Sequence, residues 1–109
     1  IFTFEPLDKK NHSRNVCVFA NGEVDRSPTG TGVSARAAVH FKRGEITLNE
    51  TLTIESILGS TFKVSVLGET NLGSLNAIIP EVEGTANIVG KNTFWIDPDD
   101  DIGQGFMLR

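Results

Sequence analysis

Residues 25 to 32 read DRSPTGTG, an acid, an arginine, three hydroxyls, a proline and two glycines in eight positions. Gly30, Thr31 and Gly32 stand where a helix is expected to begin, so their backbone N–H groups are donors with no partner inside the helix. Together with the helix macrodipole they favour a carboxylate or phosphate by roughly 0.3–1 kcal/mol each, up to about 2 kcal/mol when partly buried. Asp25, five residues before Gly30, supplies the opposite charge. A cradle for an anion beside a carboxylate for a cation suits an amino-acid zwitterion. A capped helix after an ordinary loop accounts for the same residues without a ligand, and both readings stand at this point.

Other chemistries fit less well. Gly30-Thr31-Gly32-Val33-Ser34-Ala35 matches G-x-G-x-x-A, with Glu50 about twenty residues on, yet NGEVDRSPT separates it from the preceding strand and a hairpin-like stretch follows it. A Walker A loop fails for want of Gly-Lys-Ser/Thr. Asp97, Asp99, Asp100 and Asp101 lack the spacing and closing Glu of a calcium loop and read as an acidic turn, so no metal is expected. Cys17 reads as a small strand hydrophobe. His12 lies in a polar loop and His40 far along the helix, neither with a partner visible in sequence. Trp95 reads as a core or domain-packing residue.

The elements that position the loop follow from periodicity. IFTF (1–4) alternates like a strand, DKKNHSRN (8–15) reads as a solvated loop, and VCVFA (16–20) as a buried strand, with Phe19 a core aromatic on that reading. Asn21-Gly22 signals a turn. Ser27 caps a helix with Pro28 in its first turn; Val33, Ala37 and Phe41 share a face; Lys42, Arg43 and Gly44 close it. Ile46, Leu48, Leu52 and Ile54 then alternate around a turn at Asn49-Glu50, followed by TFKVSVLG (61–68), NAIIPEV, TANIV and KNTFWID. The expectation is α+β: one helix with six or seven short, mostly antiparallel strands, and no βαβ repetition.

The 109 residues allow one compact core, and composition is that of a globular domain, 39% hydrophobic and 22% charged. Ten Lys and Arg against 14 Asp and Glu give a net charge of −4, which argues against a nucleic-acid surface. No apolar run is long enough to span a membrane. A lone cysteine favours a reducing, cytoplasmic setting, and the sequons at Asn11 and Asn49 carry little weight beside it. The chain opens without methionine, and its one methionine is Met107, so it is expected to begin inside a longer protein.

The stretch VDRSPTGTGVSAR (24–36) closely resembles the signature of the proline racemase family, in which DRSP, a catalytic cysteine and GTG open a helix. FANGEVD (19–25), ESILGSTF (55–62), PEVEGTANIVG (80–90) and DPDDDIGQGFML (97–108) agree in order. The resemblance covers most of the chain from Asn15 and corresponds to the C-terminal part of the family's protein. It implies one half of a diaminopimelate-epimerase-like fold, a curled, mostly antiparallel sheet around a central helix. Residues 1–109 would form a single domain, with the missing N-terminal half as its partner and a homodimer left open. It also implies cofactor-independent chemistry on proline or hydroxyproline, with one cysteine from each half on opposite faces of the α-carbon. Carried over by position, Asp25 pairs with the ring nitrogen, Gly30 and Thr31 donate N–H groups to the carboxylate, and Phe19 packs against the ring.

Thr29 stands where the second cysteine would be. A thiol titrates near ~8.5, falling to roughly 3.5–7.5 at helix N-termini. A dipole worth at most about 2 kcal/mol, against about 1.36 kcal/mol per pK unit, cannot bring an alcohol into that range. Thr29 is therefore no acid or base, and the resemblance points to the branch of trans-3-hydroxy-L-proline dehydratases, one-base lyases. A proline racemase or hydroxyproline epimerase using an unusual second group is the alternative among enzymes. A non-catalytic amino-acid-binding remnant is the alternative outside them.

Overall fold

The computed structural model describes residues 1–105 and Met107, so Phe106 and Leu108 of the terminal DPDDDIGQGFML stretch lie outside the described residues. Five strands form one sheet in the order β1-β2-β3-β4-β5: β1 Phe2–Phe4, β2 Ser13–Val16, β3 Leu52–Glu55, β4 Thr61–Leu72 and β5 Leu75–Glu83. The single helix, α1, spans Gly30–Lys42. Three pairings are antiparallel, and β2 runs parallel to β3. A parallel pair needs a crossover, and α1 with its flanking loops provides it. The fold is α+β, as expected, with one βαβ connection and no repetition of it.

Helix α1 packs its Val33 and Ala37 against Ile46, Leu52, Ile54, Val64 and Val66, with Phe41, Phe62 and Ile78 at the margin. The Val33, Ala37 and Phe41 face read from sequence is thus the core face, and each fully buried Val, Leu or Ile contributes roughly 1.5–3 kcal/mol. The helix stops at a Schellman turn. Glu45 N–H donates to the His40 carbonyl (2.9 Å) and Gly44 N–H to that of Phe41 (3.0 Å), with Gly44 at φ 71.

Several sequence expectations fail in instructive ways. Of VCVFA only Val16 is buried in a strand: β2 lies earlier, at Ser13–Val16, with its first three residues inside the supposed solvated loop, while Val18 and Phe19 are exposed. Ser13 and Asn15 are buried because Arg36 of α1 hydrogen-bonds both, a contact that periodicity does not encode. The helix starts two residues later than a Ser27 cap would set it, because Thr29, the N-cap, has a left-handed backbone. Ile46 is buried but precedes the strand, since Asn49 at φ 63 turns the chain before Leu52. TANIV and KNTFWID form no strand; they are exposed, with no neighbouring strand to supply a ladder among the described residues. Trp95 is accordingly outside the core.

Candidate functional site

The approach to the site is a small ribbon. Val18 and Val24 pair antiparallel; Phe19 N–H donates to the Glu23 carbonyl (2.8 Å), and Asp25 N–H to that of Cys17 (3.1 Å). Its loop closes with Gly22 N–H on the Phe19 carbonyl and Gly22 at φ 86, the turn signalled by Asn21-Gly22. Strand alternation places Cys17, Phe19, Glu23 and Asp25 on one face of this ribbon. Phe19 is 51% exposed, which overturns its reading as a core residue.

Asp25 then organises the loop. Its Oδ1 accepts from Ser27 N–H (2.8 Å) and its Oδ2 from the Thr29 hydroxyl (2.8 Å), while Ser27 Oγ accepts from Thr29 N–H (3.0 Å). The Ser27 N–H, and after it the Thr29 hydroxyl, hold the Asp25 carboxyl below the usual aspartate range, so it stays ionised at neutral pH. From the opposite side the Ser60 hydroxyl donates to the Arg26 carbonyl (2.9 Å), which ties the ESILGSTF stretch to the DRSP loop.

An N-cap threonine ordinarily turns its oxygen toward the N2 or N3 amide of its own helix. Thr29 does not: its hydroxyl is spent backwards on Asp25, and it makes no side-chain cap bond. The first helical bond is Val33 N–H to the Thr29 carbonyl (2.9 Å), and the amides of Gly30, Thr31 and Gly32 engage no acceptor among the described residues. Gly30 and Thr31 are exposed, whereas Gly32 is buried beneath Ile1. Asp25, Thr29, Gly30 and Thr31 thus come together as an ionised carboxylate, an acceptor oxygen and two free donors on open surface. Phe19 stands on the same approach and shares no hydrogen bond with them. A groove of about 710 Å³ between α1 and the β4–β5 hairpin contains none of the five.

The remaining candidates lie apart. His12 and His40, partnerless in sequence, meet edge to face at 4.9 Å, and burial, followed by Arg36, lowers the pKa of His12. The acidic run makes turns: Asp97 accepts from Asp99 N–H (3.0 Å) and Asp100 from Ile102 N–H (3.1 Å). Sequence reasoning passed over Ser60, Asn15 and Arg36 as supports of the loop. A serine pair flanking the ILG turn was the one visible hint for Ser60.

The fold matches part of solved structures. A hydroxyproline epimerase from Agrobacterium vitis, solved with bound trans-4-hydroxy-L-proline, superposes with a TM-score of 0.76 at 34% identity, over 98% of this chain and 30% of that one. The proline racemase family model matches residues 1–107, and the chain belongs to that family. It is 49% identical to a trans-3-hydroxy-L-proline dehydratase of Colwellia psychrerythraea over its whole length, and 47% identical over 95% of it to a proline racemase of Acetoanaerobium sticklandii. It spans 31% of the length of each.

Proposed function

We propose that this chain supplies one wall of a proline-type amino-acid site in an enzyme that eliminates water from trans-3-hydroxy-L-proline. The observation that carries the reading is the diverted Thr29 hydroxyl, which leaves two exposed helix-start amides unpaired beside an ionised Asp25. On this reading residues 1–109, about a third of the length of the relatives, belong to the C-terminal half of a longer two-domain protein of the diaminopimelate-epimerase kind, placed in a reducing compartment that suits the free Cys17.

Asp25 takes the ring ammonium, and Thr29 Oγ, its proton committed to Asp25, accepts a second ammonium N–H. Gly30 and Thr31 N–H hold the carboxylate and stabilise the charge that spreads onto it as the α-hydrogen leaves. Phe19 covers the ring. A cysteine thiolate of the other half takes the α-proton and becomes the thiol; the C–H electrons form the C2–C3 double bond, the C3–O bond breaks, and the thiol returns that proton to the hydroxyl, which departs as water. The resulting enamine tautomerises to the cyclic imine. The 3-hydroxyl, trans to the carboxylate, lies on the same ring face as the α-hydrogen, so one base serves both events.

Racemisation or epimerisation is the second reading, favoured by the near-equal identity to a proline racemase. One experiment separates them. The full-length protein is expected to convert trans-3-hydroxy-L-proline to an imine that reacts with o-aminobenzaldehyde while leaving the optical rotation of L- and D-proline unchanged. Loss of rotation would sink the dehydratase reading. Thr29→Cys is expected to open α-hydrogen exchange with D₂O from the second face.

A further inference from the structure

Thr29 holds φ 68 and ψ 112, a backbone state that strains a β-branched residue and persists only where its surroundings over-determine it. Three tethers are local: its hydroxyl on Asp25, its N–H on Ser27 Oγ, and its carbonyl under Val33 N–H. The fourth comes from elsewhere in the chain. Asn15, fully buried on β2, donates from Nδ2 to the carbonyl of Pro28, itself fully buried, at 3.4 Å. That carbonyl and the Thr29 N–H belong to one planar peptide group, which is therefore gripped at both edges.

Arg36 decides how Asn15 sits. A guanidinium only donates, so its Nη1, 2.8 Å away, fixes Oδ1 of the amide toward α1 and leaves Nδ2 facing Pro28. The same nitrogen donates to Ser13 Oγ, and Nη2 donates to His40 Nε2 at 3.2 Å. His40 then carries its proton on Nδ1, which donates to Glu45. Among the described residues no carboxylate lies within ion-pair distance of Arg36. Its bonds all go to neutral groups, so it acts here by orienting acceptors.

We propose that Arg36, working through Asn15, is the positioning residue for the Pro28–Thr29 peptide and hence for the Gly30 and Thr31 amides. The proposal rests on the zwitterion reading of the loop and deepens it: the geometry of the anion cradle is set from β2 and the middle of α1, away from the ligand.

The test is a double-mutant cycle in the full-length protein. Arg36→Met is expected to lower kcat/KM for the proline derivative about ten- to a hundredfold, the scale of a displacement near 1 Å. Thr29→Gly adopts the left-handed backbone without strain, so in that background the same change should cost no more than about threefold. Asn15→Asp keeps the Arg36 contact but turns the donor to Pro28 into an acceptor, and should reproduce the Arg36→Met loss. Equal losses in both backgrounds, or an Asn15→Asp protein with unchanged kcat/KM, would overturn the proposal. If the wild-type protein turns over no proline derivative, the substrate reading falls alone, and hydrogen exchange decides this one. Arg36→Met should then cut protection of the Val33 N–H about tenfold while the Ile54 and Val64 amides hold theirs. Equal loss at all three amides would reduce Arg36 to a general support of the fold.

Discussion

Two carboxylates fasten loops in this chain, and they do so to different degrees. Glu55, 2% exposed, accepts from Leu7 N–H (2.7 Å), Asp8 N–H (2.8 Å) and Asn11 Nδ2 (2.8 Å), all from the loop that precedes β2. Asp25, half-buried, accepts one backbone N–H and one hydroxyl, and two unpaired amides lie just beyond it. A carboxylate has about four lone-pair sites. Glu55 has filled most of its capacity with its own chain and is out of reach of a ligand; Asp25 keeps capacity free on open surface. The difference separates a staple from a binding group, although both are acids holding turns.

The sharpest way to break that contrast is Asp25→Asn. The amide keeps an oxygen for Ser27 N–H, so the turn survives, while its nitrogen no longer accepts from the Thr29 hydroxyl and the charge is lost. Hydrogen bonds to charged groups are worth about 1.5–3 kcal/mol, so kcat/KM of the full-length enzyme should fall roughly ten- to a hundredfold with little change in Tm. A variant that melts early but binds normally would make Asp25 another staple. Because its folded-state pKa is depressed, the wild-type charge persists below the ordinary aspartate value, about 3.9, and the midpoint of the acid loss of binding through Asp25 should lie below it.

Glu55→Gln probes the other side. The Asn11 side chain, then the Leu7 and Asp8 amides, hold the Glu55 carboxyl below its ordinary value. A depressed carboxyl contributes stability that is fully present above the unfolded value, about 4.3, and is lost as pH falls through the folded one. Wild-type Tm should therefore decline on acidification below that value. Glu55→Gln should start several degrees lower at neutral pH and decline less steeply, because its Nε2 faces donors and has no proton to gain. Substrate affinity of the folded variant should match wild type; a loss there would erase the distinction between the two acids.

What could be read in advance was what is local. The α1 face, its Gly44 stop and the Asn21-Gly22 turn depend on residues within a turn or two of each other, and the glycines and spacing state them directly. The loop's composition likewise announced free amides. The direction of the Thr29 hydroxyl was not legible, since an N-cap threonine and a tether to Asp25 look alike in sequence. Burial of Ser13 and Asn15 depends on an arginine more than twenty residues away, so SRN (13–15) reads as solvated although it opens the second strand. The tail shows the opposite failure: TANIV and KNTFWID carry the pattern of strands, but pattern makes a strand only where a partner ladder is present.

The smallest effect expected, and the most discriminating in sign, belongs to Gly30. A Cβ built there meets nothing within 4 Å, and its φ is not in the left-handed region, so the fold itself does not require glycine. At Gly32, by contrast, the same atom would lie 2.5 Å from Ile1 Cδ1. Gly30→Ala restricts the unfolded chain and suits a helix start, so it should raise stability by about 0.4–1 kcal/mol. The added methyl would nevertheless stand beside the amide to which the substrate carboxylate comes, and affinity measured by calorimetry on the full-length protein should weaken several-fold as Tm rises. Stability and binding moving in opposite directions would identify Gly30 as a glycine kept for close approach. If both improve together, no carboxylate comes near that amide, and Asp25 is left with a free face but nothing across from it.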